Sequence, residues 1–370
     1  MNRRTFLQEA ARACAGIMAG RATTLAGVRS SGKPLVVDTY SACVELDAVR
    51  RGGIDIAIQA LTAEEMLVRI PPEPDSAPPP PGVDIWEHVF KGPDVIKRIL
   101  QGVDEQVQEI EREKGKMALA LDVREARAVA AGGRLALVMM LKSGWIDEDL
   151  AILRTYRRLG IRVMALCHQA AFAWADSTAE LKARPGLTDF GRAVVRECEA
   201  TGILVDLSHA SDQTFWDAIR ASRKPMIATH SNCRALSRSP RDITDDMIRA
   251  LAERGGVVAL PAWRSRTAAE MTAARLRRDT DLARRFRDPF ELAAGQRADA
   301  EIWATDLNLE HIDHVVKLAG VDHVGLASHC RSVPQWASFP DALRSHGYGA
   351  EEVRKILGEN ALRVLGQATT

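Results

Sequence analysis

The chain has almost no net charge: 50 Lys+Arg stand against 49 Asp+Glu, a balance of +1 at pH 7 over 370 residues. Without a basic field, and with no zinc-finger or aromatic-basic motif to replace it, the sequence argues against nucleic acid as a partner. Its six cysteines, Cys14, Cys43, Cys167, Cys198, Cys233 and Cys330, form no C-x-x-C pair. With 46% hydrophobic residues the chain can bury a large core and needs no disulfide scaffold, so Cys167 and Cys198 read as small buried hydrophobes. No glycine-rich phosphate loop is present, which argues against a nucleotide-binding α/β protein. Beyond the N-terminal segment no run is long and apolar enough to span a bilayer.

The N-terminus is more informative. Asn2-Arg3-Arg4-Thr5-Phe6-Leu7-Gln8, followed by an Ala/Gly/Met stretch from Ala13 to Gly20, is similar to a twin-arginine export signal. Residues 1–30 are therefore expected to direct export to the periplasm, leaving a soluble or peripheral mature protein; the competing reading is a basic start to an ordinary helix. Residues 34–366 are expected to form one domain. Seven prolines between Ile70 and Gly82 forbid both helix and ladder and predict an exposed polyproline-like loop over 70–82.

The stretch 204–236 organises the rest. Leu204–Leu207 and Met226–Ala228 are short, apolar runs, each followed by a histidine, with an amphipathic helix over Asp212–Ala221 between them. That pattern predicts two buried parallel strands joined by a helix. His209 and His230 then lie just past the carboxyl ends of neighbouring strands, where α/β proteins collect their ligand-binding groups and where two imidazoles can share a metal ion. The bland alternative for each is a loop hydrogen bond.

Around this unit strands are predicted at Leu35–Asp38, Ile54–Ala60, Met117–Leu121, Leu135–Leu141, Arg162–Leu166, Val257–Leu260 and Val324–Ala327. Helices are predicted at Trp86–Arg112, Val123–Ala131, Glu148–Leu159, Thr188–Thr201, Thr244–Arg254, Asp306–Ala319 and Ala350–Leu365. Gly160, Gly202, Gly255 and Gly320 stand where helix C-caps should. Eight or nine alternations favour a closed (β/α)8 TIM-like barrel over a doubly wound sheet. The arginine-rich stretch 262–303 breaks the rhythm and reads as a helical insertion: a lid, a homodimer contact or a solvated excursion.

The segments CHQAAFAWADS (167–177), GLTDFGRAVVRECEATGILVDLSHASDQTFWDAI (186–219), KPMIATHSNCRALSRSPRDITDDMIRALAERGGVVAL (224–260) and HIDHVVKLAGVDHVGL (311–326) closely resemble the membrane, or renal, dipeptidase family of metallopeptidases. The resemblance implies an amidohydrolase-type (β/α)8 barrel with a two-zinc site that cleaves dipeptides. It places His209 and His230 on the histidines of the second zinc, His168 on the histidine that contacts substrate and intermediate, and Arg241 on the arginine that holds the substrate carboxylate. A bidentate guanidinium and an imidazole near the scissile carbonyl suit that chemistry.

The departures are as specific. The family's Asp-Gly-His-x-Asp after the first strand reads Asp38-Thr39-Tyr40-Ser41-Ala42 here, so both first-zinc ligands are replaced. The bridging Glu falls on Lys142, or on Leu141 if the spacing to the next helix is followed, and the Asp that deprotonates the attacking water falls on His329. An ammonium at the bridging point would repel a dication, which argues against the ordinary two-metal mechanism. Two readings follow. One is a dipeptidase-like hydrolase of small peptides or amides with one zinc on His209, His230 and His329, which Lys142 joins only if carboxylated, and with His168 and His329 as catalytic groups. The other is a pseudoenzyme, a periplasmic binding or scaffold protein with no zinc. His311, His314 and His323 read as surface or capping residues, Trp174 as pocket wall, and Tyr40 as filler for the first metal's volume.

Overall fold

A computed structural model describes residues 33–41, 46–61, 95–168, 171–179, 186–262, 307–328 and 333–369. The expected export segment, the proline run, nearly all of the 262–303 insertion, and His329 with Cys330 lie outside the described residues.

Eight parallel strands run in the order β1 (Val37–Ser41), β2 (Ile56–Leu61), β4 (Leu135–Leu141), β5 (Ile161–Ala165), β6 (Leu204–Asp206), β7 (Ile227–Ala228), β8 (Val257–Pro261) and β9 (Val324–Ala327). The order follows the sequence, as a barrel requires. β3 (Met117–Leu119) stands aside, pairing with β4 alone, so the strand expected there is not part of the barrel wall. Side-chain alternation divides the core. Ala136, Val138 and Met140 of β4 join an apolar cluster that draws on all eight wall strands, while Leu135, Leu137, Met139 and Leu141 face the helical shell.

The barrel is nearly closed. Among the described residues no ladder joins β9 to β1, and side chains span the seam instead: Thr39 Oγ1 lies 2.8 Å from both Leu326 O and Thr229 O, which share its one proton, and Asp38 accepts from Ser328 N at 2.8 Å and Ser328 Oγ at 2.5 Å. The C-terminal helix, Ala350–Thr369, seats against the same seam through a π turn at Lys355–Glu359. Gly358 is required there, because a Cβ would sit 2.6 Å from Val37 Cγ2 and 2.9 Å from Leu35 O.

Helix ends follow local chemistry. Asp122, Asp149, Thr188, Ser211 and Thr244 each cap a helix by accepting a main-chain N–H, and Gly202 ends one at φ +73° with its N–H on Cys198 O.

Candidate metal and active site

Three neighbouring strands deliver a histidine to one edge of the barrel: His168 follows β5, His209 follows β6 and His230 follows β7. All three are buried, and one ring nitrogen from each lies within 4.8 Å of the others. His209 Nε2 and His230 Nε2 are 3.0 Å apart, and the His168 and His209 ring centroids are 4.1 Å apart with planes tilted by 49°.

The local backbone aims these rings. His209 holds φ +68°, a left-handed conformation that residues other than glycine seldom adopt and that gathers at functional sites. Its carbonyl accepts from Thr178 N at 2.8 Å, and Ala210 N donates to Leu207 O at 3.2 Å, which together fix the turn. His230 is held from several sides: its main-chain N–H donates to Ser208 Oγ at 3.0 Å, its Nδ1 lies 2.8 Å from Thr229 Oγ1, and Tyr40 stacks on its ring at 3.8 Å and 25°. Asp206, at the end of β6, accepts from Ser208 N, Thr229 N and Thr229 Oγ1 at 2.9, 2.9 and 2.6 Å. Burial pushes its carboxyl above the ordinary carboxylate range and those bonds oppose the shift.

The electrostatics favour neutral imidazole. Burial holds His209 well below the usual histidine range, and the positive charges of Arg241 and Lys142, with the repulsion that a proton on neighbouring His168 or His230 would add, reinforce the effect. A histidine ligates a metal only in that neutral form. Arg241 lies over the site on the loop after β7, where Nη1 donates to Ser231 Oγ at 2.9 Å and Nη2 to His230 O at 2.8 Å. Its loop is clamped by Arg234, which donates to both carboxylate oxygens of Asp212 at 2.8 and 2.6 Å and to Asp242 O at 2.7 Å. Lys142, the first residue past β4, is buried with its Nζ 6.0 Å from the centre of the Tyr40 ring.

The structure thus brings together His168, His209, His230, Arg241 and Lys142; His329 is outside the described residues. His168, expected from the resemblance to contact substrate, shares one cluster with the expected metal ligands. A tetrahedral zinc with Zn–N of about 2.0–2.1 Å sets its ligand nitrogens roughly 3.3 Å apart. The spacing of the three imidazoles fits an ion after small side-chain movements. Among the described residues no carboxylate belongs to the cluster. Cys167 is no rival ligand, since burial pushes its thiol up and its Sγ is spent on Asp176 O at 3.2 Å.

Sequence reasoning missed Asp206 and Thr229. Their signal was the parallel between Asp206-Leu207-Ser208-His209 and Thr229-His230-Ser231, where a polar residue precedes each histidine. The reading of His311 as a surface or capping residue needs correction: it is 4% exposed, and its Nδ1 accepts from Cys233 N at 3.0 Å, joining helix Leu309–Ala319 to the loop after β7. Burial lowers its pKa, with Asp242 opposing. His314 sits 2.8 Å from Asp245 Oδ1 and His323 Nδ1 2.7 Å from Gly256 O, both half-buried. Trp174 is buried, stacked at 5.6 Å on Phe172.

Known proteins supply the context for this geometry. An uncharacterised dipeptidase of Schizosaccharomyces pombe is 29% identical over 269 residues, 68% of this chain and 53% of that protein. The chain spans about half the length of the curated relatives it matches. A crystal structure of a probable dipeptidase from Pseudomonas aeruginosa superposes with a TM-score of 0.71 at 21% identity, covering 100% of this chain and 99% of the other. A metallopeptidase from Rhodobacter sphaeroides, solved with a phosphinate mimic of the dipeptide L-Ala-D-Ala, gives a TM-score of 0.66 at 22% identity over 91% of this chain and all of its own. These structural likenesses show the shared fold. The profile of the membrane dipeptidase family, peptidase family M19, matches residues 29–370, so the chain belongs to that family of metallopeptidases.

Proposed function

We propose that this protein is a hydrolase of dipeptides or similar small amides whose site holds a single zinc-like ion on His168, His209 and His230. The observation that carries the reading is the buried cluster of three imidazoles, with His209 held neutral by its surroundings. Such an ion, when bound, supplies a Lewis acid for a scissile carbonyl and lowers the pKa of water. The chain's own residues do the rest. Arg241 holds a guanidinium against His230 O and Ser231 Oγ beside the cluster, a group suited to a substrate carboxylate. Tyr40 covers one face of His230 at the position where the family keeps a first-zinc histidine, and Lys142 places a cation where the family keeps its bridging Glu. Both favour one ion over two.

A second reading is binding without hydrolysis. It is favoured by the lack of any carboxylate in the cluster among the described residues, which leaves the histidines as proton acceptors. Metal content of protein purified without a chelating column, measured alongside turnover of L,L and L,D dipeptides, separates the two. About one equivalent with turnover supports the hydrolase; one equivalent without turnover supports the binding protein. Two tightly bound equivalents, or none, overturn the single-ion site.

We further propose residues 1–30 as an export signal to the periplasm, supported by Arg3-Arg4 and the apolar stretch after them. No helix among the described residues is long and apolar enough to cross a membrane. A fusion of residues 1–35 to a reporter of folded export should reach the periplasm, and Arg3→Lys with Arg4→Lys should abolish this.

A further inference from the structure

We infer that Thr229 is a positioning residue that fixes His230 in its Nδ1–H tautomer and so presents a bare Nε2 to the site. The argument starts at Asp206. Its Oδ1 is met by the main-chain N–H groups of Ser208 and Thr229, each at 2.9 Å, which can only donate. Its Oδ2 faces Thr229 Oγ1 at 2.6 Å. A hydroxyl has one proton. With Asp206 a carboxylate, the form its three donors favour, that proton is spent on Oδ2 and leaves Thr229 Oγ1 only lone pairs to offer His230 Nδ1 at 2.8 Å, so that nitrogen donates. The other neighbouring hydroxyl, Ser208 Oγ, lies 3.4 Å from Thr229 Oγ1, too far to compete for the proton.

A neutral imidazole carries one N–H, so His230 Nε2 keeps its lone pair, directed at His209 Nε2 3.0 Å away. In the metal-free protein His209 donates there, and the chain of bonds runs one way, from His209 through His230 and Thr229 to Asp206. The Tyr40 stack and the bonds from Arg241 Nη2 to His230 O and from His230 N to Ser208 Oγ hold the ring and its backbone in register with Thr229. The device is asymmetric. A metal would meet His230 ready to ligate, while His209 would have to give up its Nε2 proton. That consequence rests on the single-ion reading; the tautomer itself does not.

The test is a long-range ¹H–¹⁵N spectrum of histidine-labelled full-length protein, stripped of metal by a chelator. Of the nine histidines, His230 is identified by its absence from the His230→Gln spectrum. The expected result is the Nδ1–H tautomer. In the isosteric Asp206→Asn variant the amide nitrogen takes the Oδ2 position and donates to Thr229, whose proton turns to His230, so the tautomer should invert. Thr229→Ser should keep the native tautomer and Thr229→Val should lose it. Zinc affinity by equilibrium dialysis should fall about 10–100-fold in Asp206→Asn and Thr229→Val and hold in Thr229→Ser. An Nε2–H His230 in the unmutated protein, or no inversion in a folded Asp206→Asn variant, overturns the inference. An Nδ1–H His230 in a protein that binds no zinc leaves the inference standing and sinks the single-ion reading.

Discussion

The two sides of the barrel's carboxyl edge differ in what they carry. From β5 to β7 the edge carries His168, His209 and His230, on segments that resemble the membrane dipeptidases almost continuously. From β9 through β1 to β4 the same edge carries Ser328, Asp38, Tyr40 and Lys142. On this side two of the groups have a visible structural use. Tyr40 lies on His230, and Asp38 ties β1 to Ser328 across the seam. The difference teaches that one barrel edge can carry clustered imidazoles on one side and packing groups on the other, because strand-end positions have their backbone held by the ladder and leave their side chains to vary.

The largest expected effect breaks the histidine side. His209→Asn removes an imidazole while retaining a residue type that tolerates the left-handed backbone at φ +68°. Zinc affinity should fall by more than about 100-fold with little loss of thermal stability. Unchanged affinity by equilibrium dialysis would remove His209 from the site. A second test rebuilds the other side. Tyr40→His, Ala42→Asp and Lys142→Glu together restore the family's residue types at the first-zinc and bridging positions, and metal content should rise from about one equivalent to two. A content that stays at one would mean that the backbone of the rebuilt edge has shifted as well as its side chains.

How far this contrast was legible from sequence depends on the physics behind each part. Helices Val123–Ala131 and Asp212–Ala221 and strands Leu135–Leu141 and Val324–Ala327 were read to the residue, since strong periodicity is bounded by Asp122, Ser211 or glycine. β3 was read as a wall strand, because its apolar run looks like the others and only the ladder reveals that it pairs with β4 alone. The helices Arg234–Ser237 and Phe339–His346 were missed, being too short to show a period. Tyr40, Ala42 and Lys142 were visible as departures from the motif that the resemblance implies. The Asp206–Thr229 bond was not, because it joins residues 23 apart on strands whose register no local pattern states.

The next effect in size belongs to the seam. Burial raises Asp38 to about 6 from an ordinary 3.8, with its bonds from Ser328 and Tyr40 opposing. The folded state therefore holds this proton more tightly than the unfolded chain. Its stabilising contribution is complete below about pH 4 and is lost as pH rises to about 6, a fall on the order of 3 kcal/mol. Asp38→Asn should flatten this part of the stability curve measured by urea unfolding between pH 4 and pH 7. A curve with the same slope in the variant would assign the pH dependence to other groups.

The smallest pair of effects asks whether the β9–β1 side is held by fit or by charge. Gly358→Ala drives a Cβ toward Val37 Cγ2 at 2.6 Å and the immovable Leu35 carbonyl at 2.9 Å. The overpacking exceeds what removing a helical glycine returns, for a net loss of about 1–2 kcal/mol. Arg127 anchors the same π turn by charge, its Nη2 2.5 Å and Nη1 3.1 Å from the two Glu359 oxygens, but the pair is 41% and 24% exposed. Screening and side-chain entropy leave such a pair at most about 1 kcal/mol, so Arg127→Met should cost less than Gly358→Ala, and its cost should shrink further in 0.5 M salt. If Arg127→Met proves the more damaging change at low salt and loses that excess at high salt, the seam depends on charge. The β9–β1 side would then be held by the kind of interaction that fails first when screened, instead of by close packing against β1.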